Sequence, residues 1–233
     1  IAENAIVFSS FGFVSRAKRI HIVLKAIKQL TDKYPNLLYL VVGEDEKKIY
    51  EVKQMIRELK LENNVKHLGY VGLDDFKEYI QLSDVCINLR FPTQGESSAS
   101  LLRIMGYGKP AIVSNVGSFK DFPDDCVIKI NSGDEDIELS EIKQAIVSFI
   151  ENKQLINEMG QSAYHLVNNA HQISNTVEHY LNTITSILNY KAFCSEARYY
   201  YKYIDKFAGI MNELNLQDDL LIFRYARKYN KLF

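Results

Sequence analysis

The 233-residue chain has little cysteine and almost no excess charge of either sign. Its three cysteines, Cys86, Cys126 and Cys194, are widely separated and form no CxxC pair. This argues against a disulfide framework or a zinc site and predicts a reducing, cytoplasmic location. Lys and Arg number 28 against 29 Asp and Glu. The basic excess typical of nucleic-acid-binding domains is therefore missing, and no nucleic-acid partner is expected.

Long apolar runs and several common motifs are also missing. No segment approaches the roughly 20 apolar residues that cross a bilayer, and the N-terminus has no signal-peptide pattern. No GxGxxG follows the first strand-like run, and neither a P-loop nor a GxSxG elbow occurs. The five histidines show no metal-ligand spacing, so no metal site is expected. The start at Ile1, followed almost at once by a strand-like run, indicates a segment of a longer protein.

The first half of the chain alternates short apolar runs with amphipathic stretches. Strands are predicted at residues 5–13, 37–43, 65–71, 84–89, 111–114 and 127–130, and helices at 20–34, 47–61, 74–82 and 97–107. This alternation predicts βαβ units, and hence an α/β fold with a Rossmann-like, doubly wound parallel sheet. The strand ends are therefore the place to look for a ligand.

The second half is predicted to be helical, at residues 140–152, 153–170 and 173–190 and near 218–229. The acidic run Asp134, Glu135 and Asp136 is interpreted as a solvated loop ahead of the first of these helices. The predicted organisation is a nucleotide-sugar-binding domain at 1–170 and a helical C-terminal extension at 171–233.

One candidate site is the turn at residues 91–98, between the strand that ends at Leu89 and the next helix. Ser97, Ser98 and Ser100 are small, so a ligand can approach the first turn of the helix. The unpaired N–H groups there and the helix dipole suit a diphosphate. The alternative is that Ser97 merely caps the helix. The local residues alone support the two interpretations equally.

A second candidate site follows the first strand. Gly12 lets backbone approach a ligand, and the cations Arg16, Lys18 and Arg19 crowd the turn behind it. Lysine is a good point-charge partner for a phosphate and arginine a bidentate one. Taken alone, such a run is more often a solvated basic turn.

Together these segments resemble the C-terminal, donor-binding domain of retaining GT-B glycosyltransferases of the group 1 or family 4 type, over residues 7–130 and more loosely to about 170. The resemblance rests on Gly12 and Lys18, on residues 40–44, 67–71 and 83–85, and on the Gly-Lys-Pro segment 108–110. The chain departs from the family pattern at three points. Phe13 stands at an arginine position, Arg103 replaces the second glutamate, and Glu96 matches the first only with a one-residue shift.

The resemblance implies metal-independent transfer, with retention, of a hexosyl group from a UDP- or GDP-sugar, without a cofactor. Lys18 would neutralise the departing diphosphate, and Glu96 would bind a hydroxyl of the donor sugar. The implied nucleotide-sugar contacts are Gly12, Arg16, Gly43, Glu44, Tyr70, Val71, Ser97, Ser98, Ala99, Ser100 and Arg103. Tyr70 and Val71 would border the base, and the backbone of residues 98–100 would hold the diphosphate. Arg103 would pair with phosphate or with Glu96, and Arg16, Arg19 or Arg90 would replace the missing arginine.

The resemblance also implies partners outside this chain. The glycan or lipid-linked acceptor would bind through an N-terminal domain that the chain lacks, so the fragment alone is expected to be inactive. The aromatic and basic stretch 198–203 is interpreted as an interdomain surface, with a peripheral contact at the inner membrane face as the alternative. A non-catalytic nucleotide-sugar-binding module is the second functional hypothesis. A receiver-like domain fits poorly, because the first turn is basic where a receiver is acidic.

Overall fold

The computed structural model describes residues 4–46, 50–170 and 173–213. The chain divides into two compact units, Ile1–Gln172 and Ile173–Phe233. The first contains a mixed α/β structure, and the second is described by a single helix. That the chain consists of a domain at 1–170 and an extension at 171–233 stays a prediction.

The first unit is built on a sheet of six parallel strands. The strands are β1 (Ile6–Phe11), β2 (Leu37–Val42), β3 (Val65–Gly69), β4 (Val85–Asn88), β5 (Ala111–Ser114) and β6 (Val127–Ile130). Their order is β3-β2-β1-β4-β5-β6. All neighbouring pairs in it are parallel. The predicted α/β class and doubly wound sheet are confirmed. The apolar runs of β1, β4 and β5 are buried at every residue, as expected of strands covered on both faces.

Helices cover both faces of this sheet. They are α1 (Ile20–Leu30), α2 (Val52–Glu58), α3 (Leu73–Leu82), α4 (Ala99–Gly106), α5 (Glu135–Glu151) and α6 (Lys153–Ala170). Helix α1 buries Val23, Leu24, Ile27 and Leu30, which recur at helical spacing, in the largest core cluster. The fold therefore follows from the periodicity of the sequence.

Three helices begin two or more residues away from their predicted starts. Helix α2 begins at Val52 rather than at 47, because Glu51 before it has an extended backbone. Helix α4 begins at Ala99 rather than at 97, because Ser98 is its extended N-cap. Helix α5 begins at Glu135 rather than at 140. The side chain of Asp134 accepts hydrogen bonds from the N–H groups of Asp136 and Ile137, so the acidic run starts the helix and its interpretation as a loop is wrong.

The second unit contains α7 (Ile173–Glu213), a helix of 41 residues. It continues well beyond the predicted end at 190 and includes the backbone of the stretch 198–203. The helix predicted near 218–229 lies outside the described residues. Within the described part of the chain, no helix is both long enough and apolar enough to cross a membrane.

Candidate functional site

The two candidate turns lie side by side at the carboxyl edge of the sheet. Strands β1 and β4 are neighbours, although two βα units separate them in sequence. The chain runs outward from β1 to β3 and then returns to the other side of β1, so the connections after β1 and β4 leave in opposite directions. This is the topological switch point, where open α/β sheets bind their ligands. The two turns touch directly, since the N–H of Phe91 donates a 2.8 Å hydrogen bond to the carbonyl of Ala17.

The turn after β1 packs its lysine against backbone instead of exposing it. Gly12 has φ 89°, and a Cβ there would lie 3.2 Å from Nζ of Lys18. That nitrogen donates to the carbonyl oxygen of Phe11. Lys18 is 6% exposed and Arg19 7% exposed. The interpretation as a solvated basic turn is therefore wrong for these two residues.

Burial changes the chemistry of Lys18. Loss of hydration, followed by the nearby positive charge of Arg90, lowers the pKa of Lys18 to about 7. The amine is therefore close to half protonated at neutral pH. An anion beside it would favour the charged form and raise the pKa again.

Arg16 and Arg19, in the same turn, have different surroundings. The side chain of Arg16 is 75% exposed, with its guanidinium 3.9 Å from the carboxylate of Glu135. Arg19 instead donates from Nε to Oε2 of Glu138 at 2.8 Å and from Nη2 to Oε1 at 3.0 Å. The Glu138 side chain is 1% exposed. Arg19 is thus held in a buried bidentate ion pair with α5.

The end of β2 lies against the same turn. A Cβ on Gly43 would lie 2.1 Å from the carbonyl oxygen of Gly12, which leaves no room for a side chain. The carbonyl of Glu44 accepts a 2.9 Å hydrogen bond from the N–H of Val14. The structure therefore brings Gly12, Gly43 and Glu44 together, as the sequence-based site requires.

The turn after β4 holds Glu96 in a network of donors. Its Oε2 accepts from Gln94 N–H at 2.7 Å and from the Thr93 hydroxyl at 3.0 Å. Its Oε1 lies 2.7 Å from Nε of Arg90. Its own backbone N–H, and then the contacts from Gln94, Thr93 and Arg90, hold the pKa of Glu96 below its usual value. Glu96 is therefore ionised at neutral pH. The turn that carries it is hydrogen-bonded to the turn that carries Lys18.

Helix α4 begins with its small residues at the same edge. Ser98 is the N-cap, since its Oγ accepts from Leu101 N–H at 3.2 Å. Capping by Ser97 was the alternative interpretation of this turn, and the structure has the cap one residue later, at Ser98. The side-chain amide of Asn88, the last residue of β4, donates a 3.0 Å hydrogen bond to the same hydroxyl. Ser97 and Ala99 are exposed, and Ser100 is half-buried. The first-turn N–H groups of a helix have no intrahelical acceptors, so this end of α4 suits an anion.

The remaining predicted contacts lie farther along the edge. Tyr70 directly follows β3 and is 80% exposed, while Val71 packs in part against the small core cluster of β1, β2 and α3. The guanidinium of Arg103 lies 6.0 Å from the centre of the Phe76 ring on α3. Phosphate and Glu96 were the two partners predicted for Arg103. Glu96 pairs with Arg90 instead.

The sequence did not single out the side chains that support these turns. The hydroxyl of Ser114, the last residue of β5, accepts from Arg90 N–H at 2.9 Å, and the hydroxyl of Ser118 donates to the carbonyl of Glu96 at 2.9 Å. The only sequence signal for them is their position at the end of the strand beside β4 and shortly after it. Among the described residues, no group of three or more His, Cys, Asp or Glu side chains could hold a metal ion.

A groove of about 420 Å³ lies away from these turns. It runs from the amino ends of β1 and β2 to α3, and its lining includes Pro35, Leu38, Leu40 and Tyr79. The turns that carry Lys18 and Glu96 do not contribute to it. The carboxyl edge therefore remains the candidate site.

Comparison with known proteins assigns the chain to a family. Residues 1–166 match the family model of the glycosyl transferases group 1, so the chain belongs to that family. An uncharacterized glycosyltransferase of Methanocaldococcus jannaschii, MJ1059, is 32% identical over 69 residues, which cover 30% of this chain and 17% of that protein.

Solved structures share the fold. Alr3699/HepE of Anabaena in complex with UDP has a TM-score of 0.69 at 21% identity, over 78% of this chain and 49% of that one. The C-terminal domain of the group 1 family protein LpcC of Francisella tularensis has a TM-score of 0.61 at 16% identity, over 72% of this chain and 87% of that one. The match to HepE thus spans about half of that protein, and the match to LpcC spans most of its isolated C-terminal domain.

Proposed function

We propose that this chain is the donor-binding domain of a glycosyltransferase. It would move a hexosyl group from a UDP- or GDP-sugar, with retention and without a metal, to a glycan or lipid-linked acceptor. The observation that carries the proposal is the contact between two turns at the switch point. One holds the buried Lys18, and the other holds the ionised Glu96 ahead of the N-terminus of α4.

The chemistry of the turns supports this function. A departing nucleoside diphosphate carries growing negative charge, which a cation and helix N–H groups fixed in advance would stabilise. Lys18 would supply the cation, and the first turn of α4, at Ala99 and Ser100, the N–H groups. Glu96 accepts hydrogen bonds only, so it suits a sugar hydroxyl. Structures of HepE with UDP and with UDP-glucose, which share this fold, agree with a uridine diphosphate donor.

A nucleotide-sugar-binding module without activity is the second candidate. It is favoured by Phe13 and Arg103, which stand where the family pattern has an arginine and a glutamate. Arg103 cannot accept hydrogen bonds from ribose hydroxyls. Donor binding is common to both candidates, and only turnover separates them.

Donor binding can be tested by calorimetry with UDP and GDP. We expect one of them to bind, and Lys18→Ala to weaken that binding at least tenfold, as loss of a buried charged contact should. Lys28→Ala, an exposed lysine near the end of α1, is the matched control and should bind like the parent. Failure of the parent chain to bind either nucleotide would contradict the proposal.

Turnover needs the acceptor domain as well. We propose that the 233-residue chain alone is inactive, so transfer by it without any partner would refute this part. In a protein that includes an acceptor domain, Glu96→Gln should abolish donor hydrolysis. Donor hydrolysis at the parent rate would mean that Glu96 has no part in the reaction.

A cytoplasmic location, with peripheral contact at the inner membrane face, also stays a prediction.

A further inference from the structure

The proposed donor site has less positive charge from Lys18 than a bound diphosphate has negative charge. A nucleoside diphosphate carries at least two negative charges, and Lys18 supplies at most one positive charge. The family pattern adds an arginine at the position of Phe13, whose aromatic side chain is 59% exposed and carries no charge. Three arginines lie close enough in sequence to the two turns to take its place, namely Arg16, Arg19 and Arg90.

Arg19 is already paired with Glu138. Both of its contacts to Glu138 are buried, and Oε1 of Glu138 also accepts a 2.8 Å hydrogen bond from Gly133 N–H. Moving the guanidinium to a phosphate would leave the Glu138 carboxylate charged and without its partner inside the protein. Breaking a buried pair in this way is strongly destabilising, and one phosphate contact does not offset the loss.

Arg16 is poorly placed for the same task. Its side chain is 75% exposed and directed towards Glu135 at the start of α5. An exposed arginine loses side-chain entropy when it is fixed on a ligand, and solvent weakens the contact that it makes. Arg16 can add long-range attraction but not a fixed contact.

Arg90 is held beside Lys18 by its backbone. Its N–H donates to the Ser114 hydroxyl, and the next residue, Phe91, donates its N–H to Ala17, the residue before Lys18. The side chain of Arg90 is only 20% exposed. Its charge is near enough to disfavour protonation of Lys18. Two basic side chains thus lie close together in one partly buried place, where a diphosphate would favour the charged form of Lys18.

Among the residues that the structure describes, Glu96 is the one side chain paired with the Arg90 guanidinium, and the pairing involves one of its nitrogens. The Nε atom lies 2.7 Å from Oε1 of Glu96. It is nevertheless buried without a well-directed hydrogen bond among the residues that the structure describes. A guanidinium has five N–H donors in a fixed fork, and a phosphate group can accept two of them at once.

From these contacts we infer that Arg90 binds the diphosphate of the donor, in place of the arginine that the chain lacks at Phe13. This inference rests on the proposed function. Glu96 holds Arg90 in position when the site is empty, and the diphosphate joins Lys18 and Arg90 when the donor enters. Arg90 then links the diphosphate to the carboxylate that would hold the sugar. It should recognise phosphate and not the base.

The test compares nucleotides that differ only in phosphate. Binding of UDP and uridine, or of GDP and guanosine if the guanine nucleotide binds, is measured by calorimetry for the parent chain, Arg90→Met and Arg90→Lys. Methionine keeps the length of the buried stem, and lysine keeps the charge but loses the fork. Arg57→Met, an exposed arginine on α2, is the matched control.

We expect Arg90→Met to weaken diphosphate binding about 10- to 100-fold, Arg90→Lys about 3- to 10-fold, and neither to change nucleoside binding. Arg57→Met should bind like the parent chain. Diphosphate binding at the parent level in both Arg90 variants would overturn the inference, as would an equal loss for nucleoside and diphosphate. If Arg90→Met does not fold, the lysine variant decides in the same way. A parent chain that binds no diphosphate would instead refute the proposed function, so the two failures are distinguishable.

Discussion

Lys18 and Glu96 illustrate how single residues in this site acquire their charge from their surroundings. Both lie in turns that follow strands, and each is surrounded by backbone and by a few polar groups. Burial and the charge of Arg90 disfavour the protonated form of Lys18, whereas N–H and hydroxyl donors favour the ionised form of Glu96. The site therefore combines a stable carboxylate with an amine that is about half protonated at neutral pH.

This difference predicts proton uptake on donor binding. With a pKa of about 7, Lys18 is mostly neutral at pH 8 in the empty site. A diphosphate beside it favours the ammonium form, so binding at pH 8 should take up nearly one proton. At pH 6 the amine is already charged, and Lys18 should contribute almost no uptake. Calorimetry in buffers that differ in ionisation enthalpy measures this quantity. Uptake should be absent in Lys18→Met, and no uptake by the parent chain at pH 8 would contradict the expected contact.

The turns of the candidate site were predictable, but their contacts were not. Each turn follows a buried strand that can be recognised from the hydrophobic pattern, whereas Lys18 and Glu96 were singled out by the resemblance to the glycosyltransferase family. Arg90 was only one of three candidates, since the pairing of Arg19 with Glu138 joins residues 119 positions apart. No local sequence pattern indicates that Arg19 is paired with Glu138 while Arg90 remains beside Lys18.

At the scale of elements, the middle of each strand and helix was easier to predict than its start. Strands β5 and β6 and helix α6 have the predicted bounds. Helices α4 and α5 begin where Ser98 and Asp134 place their side chains on backbone N–H groups. Several polar residues near each start were suitable caps, and backbone angles in the folded protein select one of them.

The cap of α4 can be tested with two neighbouring serines. Ser98→Ala removes the acceptor of Leu101 N–H and one partner of Asn88, so it should reduce the free energy of unfolding by about 1 kcal/mol. Ser97→Ala changes an exposed side chain and should reduce it by less than about 0.5 kcal/mol. Urea unfolding followed by circular dichroism measures both. A larger loss for Ser97→Ala would place the cap at the residue that the sequence suggested.

At the scale of the whole molecule, the first unit is a doubly wound sheet of six parallel strands with both candidate turns at its carboxyl edge. One of its sequence-distant connections is the buried pair of Arg19 with Glu138, which joins the turn after β1 to α5. Arg19 also has φ 56°, a left-handed conformation that residues other than glycine seldom adopt. The ion pair therefore holds the turn in a conformation that its own residue disfavours.

Removal of one partner should destabilise the unit strongly. Glu138→Ala leaves the Arg19 charge without its buried partner, so the free energy of unfolding should fall by about 3–5 kcal/mol. Glu151→Ala removes the exposed ion pair with Lys33 and should cost no more than about 1 kcal/mol. Thermal and urea unfolding of the two variants provide the comparison. Similar losses would mean that the buried pair contributes no more than a surface one.

The contact between Gly43 and the carbonyl of Gly12 determines how this site can be redesigned. Any side chain at residue 43 would separate the ends of β1 and β2, so this position at the carboxyl edge of the sheet cannot be altered by substitution. Phe13 and Tyr70, which are 59% and 80% exposed at the same edge, have no such restriction. Libraries that aim to change the accepted donor should therefore vary Phe13 and Tyr70 and leave Gly43 unchanged.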